Sequence, residues 1–167
     1  MGRPSRRAVV AAGLFSIIGV ATADARGVMQ FDAVMPGTIV IQNSTRTLTL
    51  HLGNGRTIRY PIAIGRGGRA WTGRTVIANM VVNPTWQPPA VVRRDMPHLP
   101  RLVPPGPRNP LGTRALVLAK DEIAIHGTNQ PGSIGRAASY GCIRMHNRDV
   151  EDLFARVTIG TPVIVVN

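Results

Sequence analysis

Cys142 is the single cysteine in 167 residues, and it lies in the segment Ser139-Tyr-Gly-Cys-Ile-Arg-Met145. Upstream, His126 ends the alternating run Glu122-Ile-Ala-Ile-His126. A thiol is a useful nucleophile only as thiolate, from an ordinary pKa of about 8.5, and a neighbouring imidazole is the commonest means of drawing off its proton. His126 is therefore the candidate base for Cys142. Gly141 lets the backbone approach a substrate closely, so peptide N–H groups around the nucleophile are candidates to meet a carbonyl oxygen as it becomes an oxyanion. Arg144 adds a fixed positive charge two residues on. A planar guanidinium there either grips a substrate carboxylate through two parallel hydrogen bonds or pairs with an acid of the segment that follows.

One cysteine forms no intrachain disulfide, which leaves an intermolecular partner, a small buried core residue or a reactive thiol. The Gly141-Cys142-x-Arg144 setting favours the reactive thiol. His51, His98, His126 and His146 fall at no metal-binding spacing, and neither a second cysteine nor a His-Glu-x-x-His run is present, so no metal and no other cofactor is expected. The formal charge is +12, and setting aside Arg3, Arg6 and Arg7 leaves +9. Such a chain suits anionic polymers and acidic peptides. Arg66-Gly-Gly-Arg69 resembles an arginine-glycine nucleic-acid segment, but aromatics are only 4% of residues, too few for stacking platforms, and a nucleic-acid partner is not expected. The same stretch, Gly65-x-Gly67-Gly68, lacks the Gly-Lys-Ser/Thr ending of a phosphate loop and reads as a plain loop.

The elements that must position these residues are mostly strands. Thr38–Gln42, Thr47–Leu52 and Arg56–Ile64 are β-rich runs, the last two joined by a Gly53-Asn54-Gly55 turn that tolerates positive φ and predicts a hairpin. Thr75–Val82, Ala115–Ala119 and Glu122–His126 are further strands, with Lys120-Asp121 as the turn that delivers His126 to a strand end. Asp121 has the chemistry to orient the imidazole, but its position reads as a turn. Between Asn83 and Gly112 stand nine prolines, which cannot supply ladder donors and predict a long ordered loop or lid. One helix is expected after Cys142, with Asn147 as N-cap, Val150, Leu153, Phe154 and Val157 on one face, and Gly160 as its stop. Thr161–Val166 closes the sheet.

At the N-terminus, Arg3, Arg6 and Arg7 precede an uncharged apolar run, Ala8–Ala21, and then the small-residue sites Ala21-Thr-Ala23 and Ala23-Asp-Ala25. This predicts a signal peptide over residues 1–25, cleaved near 23–25 by the general secretory route, and a periplasmic product. The run is about 14 residues, short of the roughly 20 needed to span a bilayer, so no stable membrane span is expected after cleavage. Residues 26–37 read as a short tether and 38–167 as one domain, since about 140 residues hold one core.

His126-Gly-Thr-Asn129, Ile134-Gly135 and Ser139-x-Gly-Cys-Ile-Arg-Met145 resemble the signature of the L,D-transpeptidases (YkuD-like), bacterial cysteine enzymes that cross-link or modify peptidoglycan. Asn83-Pro-Thr-Trp-x-Pro-Pro89 and Pro104-x-Gly-Pro-x-Asn-Pro-Leu-Gly112 extend the likeness upstream. The resemblance implies a mostly β, sandwich-like catalytic domain with one short helix after the cysteine. It implies that Cys142 attacks a stem tetrapeptide to form a thioester, that His126 is the base with its second nitrogen donating to the Gly127 carbonyl, and that the N–H groups of Tyr140, Gly141 and Cys142 form the oxyanion hole. Arg144 and Ser139 are candidate substrate contacts, Trp86 either lines the substrate groove or packs the proline-rich segment against the core, and the resemblance further implies acylation of the thiol by a carbapenem. The acyl acceptor would be a stem peptide, an envelope protein or, for a carboxypeptidase, water; a non-catalytic peptidoglycan-binding protein is the contrasting reading. Many members carry a second histidine where this chain has Tyr140, which bears on substrate preference.

Overall fold

The computed structural model describes residues 34–120 and 122–167; the expected signal peptide, most of the tether and Asp121 lie outside the described residues. The chain opens as a meander of β1 (Ile39–Gln42), β2 (Thr47–Gly53) and β3 (Arg56–Pro61), each antiparallel to the next. In β2 the alternation of Thr47, Thr49 and His51 with buried Leu48 and Leu50 turns one face to the core. The expected hairpin forms at Asn54 and Gly55, with φ values of 51° and 71°. Positive φ at both central residues matches the right-handed twist of the flanking strands.

After β4 (Ile64–Gly65) come β5 (Gly73–Val82), α1 (Ala90–Asp95), β6 (Arg114–Leu118), β7 (Ala124–His126), β8 (Ala137–Ser139), β9 (Ile143–Arg144), α2 (Asn147–Phe154) and β10 (Pro162–Val166). Eight strands form one sheet in the order β3-β2-β1-β10-β5-β6-β7-β9, while β4 and β8 pair separately. The sheet curls. Ala63, just past β3 at one edge, exchanges both backbone hydrogen bonds with Arg144 in β9 at the other, at 2.9 and 3.0 Å. Inside the curl Ile39, Ile41, Leu48, Leu50, Ile77, Leu116 and Ile125 are buried, capped by Val150 and Leu153 of α2. Each such side chain contributes about 1.5–3 kcal/mol on leaving water.

This is the mostly β architecture the sequence predicts. α1 is an addition, inside the proline-rich segment expected to lack secondary structure. Pro89 sits at its N-cap, where a missing N–H costs nothing, but six residues are too few to show a helical period. The helix after the nucleophile differs at both ends: its N-cap is His146 without a side-chain cap, Asn147 is the first helical residue, and it stops at Phe154, ahead of Gly160.

α2 is tied back to the sheet by Tyr60, whose hydroxyl donates to Asp152 Oδ2 at 2.6 Å while Arg156 donates to Oδ1 at 2.7 Å. The bond from Arg156 and then the one from Tyr60 hold the Asp152 carboxyl below its ordinary pKa. A depressed folded-state pKa gives stability present above the ordinary carboxylate range and lost as pH falls through the folded value. Tyr60→Phe is expected to cost about 1 kcal/mol and to weaken the acid dependence of the melting temperature, measured by calorimetry across pH 2–6.

Candidate active site

β7 and β9 lie parallel and in register, Ile125 beside Ile143 and His126 beside Arg144. Ile143 is 2% exposed and Met145 fully buried. Alternation along a strand then sends Cys142 and Arg144 to the opposite side, and both border a cleft of about 550 Å³ together with His126, Ser139, Tyr140 and Trp86. The side chains expected at the site therefore share one cleft. Its other wall is the proline-rich strap, in which Trp86 and Val103 exchange backbone hydrogen bonds at 2.9 and 2.8 Å. Asn109, 1% exposed, donates to the carbonyls of Pro84, Val103 and Pro104 and accepts from the Leu111 N–H. Proline carbonyls still need donors, and one buried amide supplies them.

His126 is buried, and its Nδ1 donates to the Gly127 carbonyl at 2.6 Å. A carbonyl only accepts, so the ring proton is held on Nδ1 and Nε2 is left as a bare base. Burial depresses the imidazole pKa to about 4, against the opposing Gly127 bond and with the Arg144 charge adding to the depression. Burial raises the Cys142 thiol; the Ala124 backbone and Arg144 oppose this, and Glu122 adds to it. The thiol lies 3.5 Å from the Glu122 carbonyl, to which it donates, and no hydrogen bond joins it to His126 among the described residues. Both shifts favour the neutral forms.

The nucleophile turn is braced from inside. Ser139 Oγ donates to the Cys142 carbonyl at 2.6 Å and accepts from the Gly141 N–H at 3.1 Å, and Trp71 Nε1 donates to the Gly141 carbonyl at 3.2 Å. Ser139 was expected to meet substrate; with 1% exposure its hydroxyl is spent shaping the turn. Gly141 likewise has its N–H committed, which leaves Tyr140 and Cys142 as the uncommitted donors among the three expected. Gly141 itself is required, since its φ is +125° and a Cβ there would press on Ile123 at 3.0 Å. Trp71 carried no signal in the sequence beyond being an aromatic residue in a glycine-rich loop.

Arg144 is half-buried, and burial is the main cause lowering its pKa, with nearby Arg66 acting in the same direction. The expected alternative, an ion pair with the following helix, does not form: Asp149 pairs with Arg148 at 3.3 Å and Asp152 with Arg156. Among the described residues Arg144 has no ion-pair partner.

Asn147, released from capping, acts elsewhere. Its Oδ1 accepts from the Thr128 N–H at 2.9 Å, and a Cβ at either Gly127 or Gly112 would overlap that oxygen. The first residue of α2 is thus wedged behind the peptide whose carbonyl orients His126. Asn147→Ala is expected to lower kcat about 10–100-fold, the scale of a misplaced catalytic group, with KM little changed, whereas Asn147→Asp, which keeps the acceptor, restores most of the rate.

Comparison with known proteins places the chain in a family. Residues 36–165 match the L,D-transpeptidase catalytic domain (YkuD). The probable L,D-transpeptidase YbiS of Escherichia coli K12 is 36% identical over 140 residues, which cover 79% of this chain and 45% of that protein. The putative L,D-transpeptidase YkuD of Bacillus subtilis is 37% identical over 132 residues, covering 78% and 66%. L,D-transpeptidase 3 of Mycobacterium tuberculosis shares the fold, with a TM-score of 0.62 at 18% identity over 78% of this chain and 60% of that one. This chain thus spans about half the length of YbiS. With the matched domain covering most of the chain and the relatives this similar, the protein belongs to the L,D-transpeptidase catalytic domain family.

Proposed function

We propose that the domain is an L,D-transpeptidase acting on peptidoglycan stem tetrapeptides through Cys142. The observation that carries this reading is a buried imidazole with a bare Nε2, its tautomer fixed by Gly127, bordering the same cleft as the chain's sole thiol. Cys142 Sγ attacks the carbonyl after the third stem residue as its proton passes to His126 Nε2. The N–H groups of Tyr140 and Cys142 receive the oxyanion. The bond to the terminal D-alanine then breaks, His126 returns the proton to the leaving amine, and a thioester remains. An acceptor amine forms the new amide, giving its proton to His126 and restoring the thiol. Arg144, without an acid of its own, binds a substrate carboxylate, and Trp86 lines the groove.

Incubation of the domain with disaccharide-tetrapeptides, with products resolved by mass, tests this. Cross-linked dimer with free D-alanine is the expected outcome; tripeptide with D-alanine would make the enzyme an L,D-carboxypeptidase. Binding without any product would leave a peptidoglycan-binding protein. The charged start, apolar run and small-residue sites of residues 1–25 support export to the periplasm, which fractionation of cells checks. Among the described residues no helix is long and apolar enough to cross a membrane.

A further inference from the structure

The peptides on either side of the Gly141–Cys142 bond are held from within the nucleophile turn, by Ser139 Oγ, which accepts from the Gly141 N–H and donates to the Cys142 carbonyl. The Gly141–Cys142 peptide itself is held from outside: Trp71 Nε1 donates to the Gly141 carbonyl at 3.2 Å. Trp71 belongs to the loop between β4 and β5, and that loop is joined to the turn at its start, where the Arg66 N–H donates to the Ser139 carbonyl at 3.0 Å. The tryptophan is anchored in its turn. Asn43, 7% exposed, donates from Nδ2 to the Trp71 carbonyl at 2.9 Å, and the Lys120 ammonium lies over the indole at 5.1 Å. Cys142 borders the cleft and Trp71 does not.

In a trans peptide the carbonyl and the N–H point in opposite directions. A Gly141 carbonyl drawn to Trp71 therefore aims the Cys142 N–H away from the indole, and that N–H makes no hydrogen bond of its own among the described residues. Glycine at 141, with a φ of +125°, has no side chain to resist rotation of the peptide. Without the indole, nothing from outside the turn holds its direction. A hydrogen bond on the carbonyl also polarises the peptide and makes its N–H a stronger donor, by about 10–30% in a chain of such bonds. A half-buried indole N–H needs an acceptor in any case, but that need alone predicts no effect on the chemistry at Cys142.

We infer that Trp71 is a positioning residue for the reaction at Cys142: its indole N–H fixes the Gly141–Cys142 peptide in the orientation that presents the Cys142 N–H to a developing oxyanion. This rests on the proposed reading in which that N–H receives the oxyanion, and it adds the residue that aims it. Trp71 acts through one peptide rather than on the substrate, and Asn43 and Lys120 act on Trp71. Its influence is confined to steps in which negative charge gathers on a carbonyl oxygen. A reaction of the thiol that builds no oxyanion does not need this peptide.

Trp71→Phe keeps an aromatic ring beneath Lys120 and removes the N–H. Two reactions of Cys142 are compared in this variant and the parent, both below their melting transitions. One is acylation by a carbapenem, in which a carbonyl oxygen takes up charge; the other is alkylation by iodoacetamide, which displaces iodide at a saturated carbon. Acylation is expected to slow about 10–100-fold, part of the 10²–10³-fold cost of losing a whole oxyanion donor, while alkylation is little changed. Equal slowing of both reactions overturns the inference, because Trp71 would then merely support the thiol, and so does slowing of neither. Cys142 is the only cysteine, so protein labelled with nitrogen-15 cysteine shows a single backbone amide resonance that reads the peptide without any turnover. In Trp71→Phe that resonance is expected to shift and broaden; one that stays sharp and unmoved overturns the inference as well. A parent protein that the carbapenem fails to acylate would count against the thioester reading, and the amide resonance would still decide whether Trp71 orients the peptide.

Discussion

Cys142→Ala is expected to reduce tetrapeptide turnover by on the order of 10⁴–10⁶-fold, the range seen when a covalent nucleophile is removed. No other residue of this chain can replace it, because Cys142 is the only thiol. The fold should survive within about 1 kcal/mol: the side chain is small and only partly buried, and its bond to the Glu122 carbonyl is weak at 3.5 Å. Mass spectrometry of protein treated with a carbapenem or with substrate reads the result directly, as an acyl adduct on the parent chain and none on the variant. An adduct persisting on Cys142→Ala would place the nucleophile elsewhere.

Loss of the base has the second largest effect. His126→Ala should lower kcat about 10²–10⁴-fold, while Tyr140→His should leave an active enzyme, since in the proposed mechanism Tyr140 contributes to the chemistry a backbone N–H that any residue there supplies. The buried imidazole also leaves a signature in pH. With a folded-state pKa of about 4 against an ordinary 6.5, the base stays competent well below neutrality, so the acid limb of kcat/KM falls near pH 4. Stability follows the same linkage: the unfolded chain binds the proton first, so His126 contributes fully above about pH 6.5, and its contribution declines as pH falls towards 4. Its span is about 3 kcal/mol. His126→Gln should flatten the melting temperature across that window; an unchanged slope would mean that His126 is not held neutral.

The chemistry of this chain was more legible than its supports. Cys142, His126 and Arg144 are visible because their types and order are unusual, and β2, β5, β6 and β10 because alternation over several residues marks a half-buried strand. β8 and β9, three and two residues long, are too short for any period to register, yet β9 carries Arg144. Asn147 reads locally as a good helix cap, and only the approach of Gly112 and Gly127 from distant parts of the chain shows why its side chain turns away. The same holds for Ser139 and Gly141, whose hydrogen bonds to one another within the turn settle what each is free to do. Trp71 and Arg66 sit in a loop whose composition suggests flexibility; their contacts with the nucleophile turn arise from the pairing of β4 with β8, which involves two-residue and three-residue strands.

The backbone exchange between Ala63 and Arg144 has a consequence for recognition. β9 is last in the order of its sheet, and an unprotected last strand is a template on which a passing peptide can add itself, bound through its main chain. Ala63 already occupies the open side of Arg144, and His126 and Met145 are joined by a 2.8 Å backbone bond on the other. A peptide therefore cannot add itself to β9 at Arg144. Main-chain pairing, which accepts almost any sequence, is closed at that strand, which leaves side-chain charge and shape around Arg144 to discriminate there.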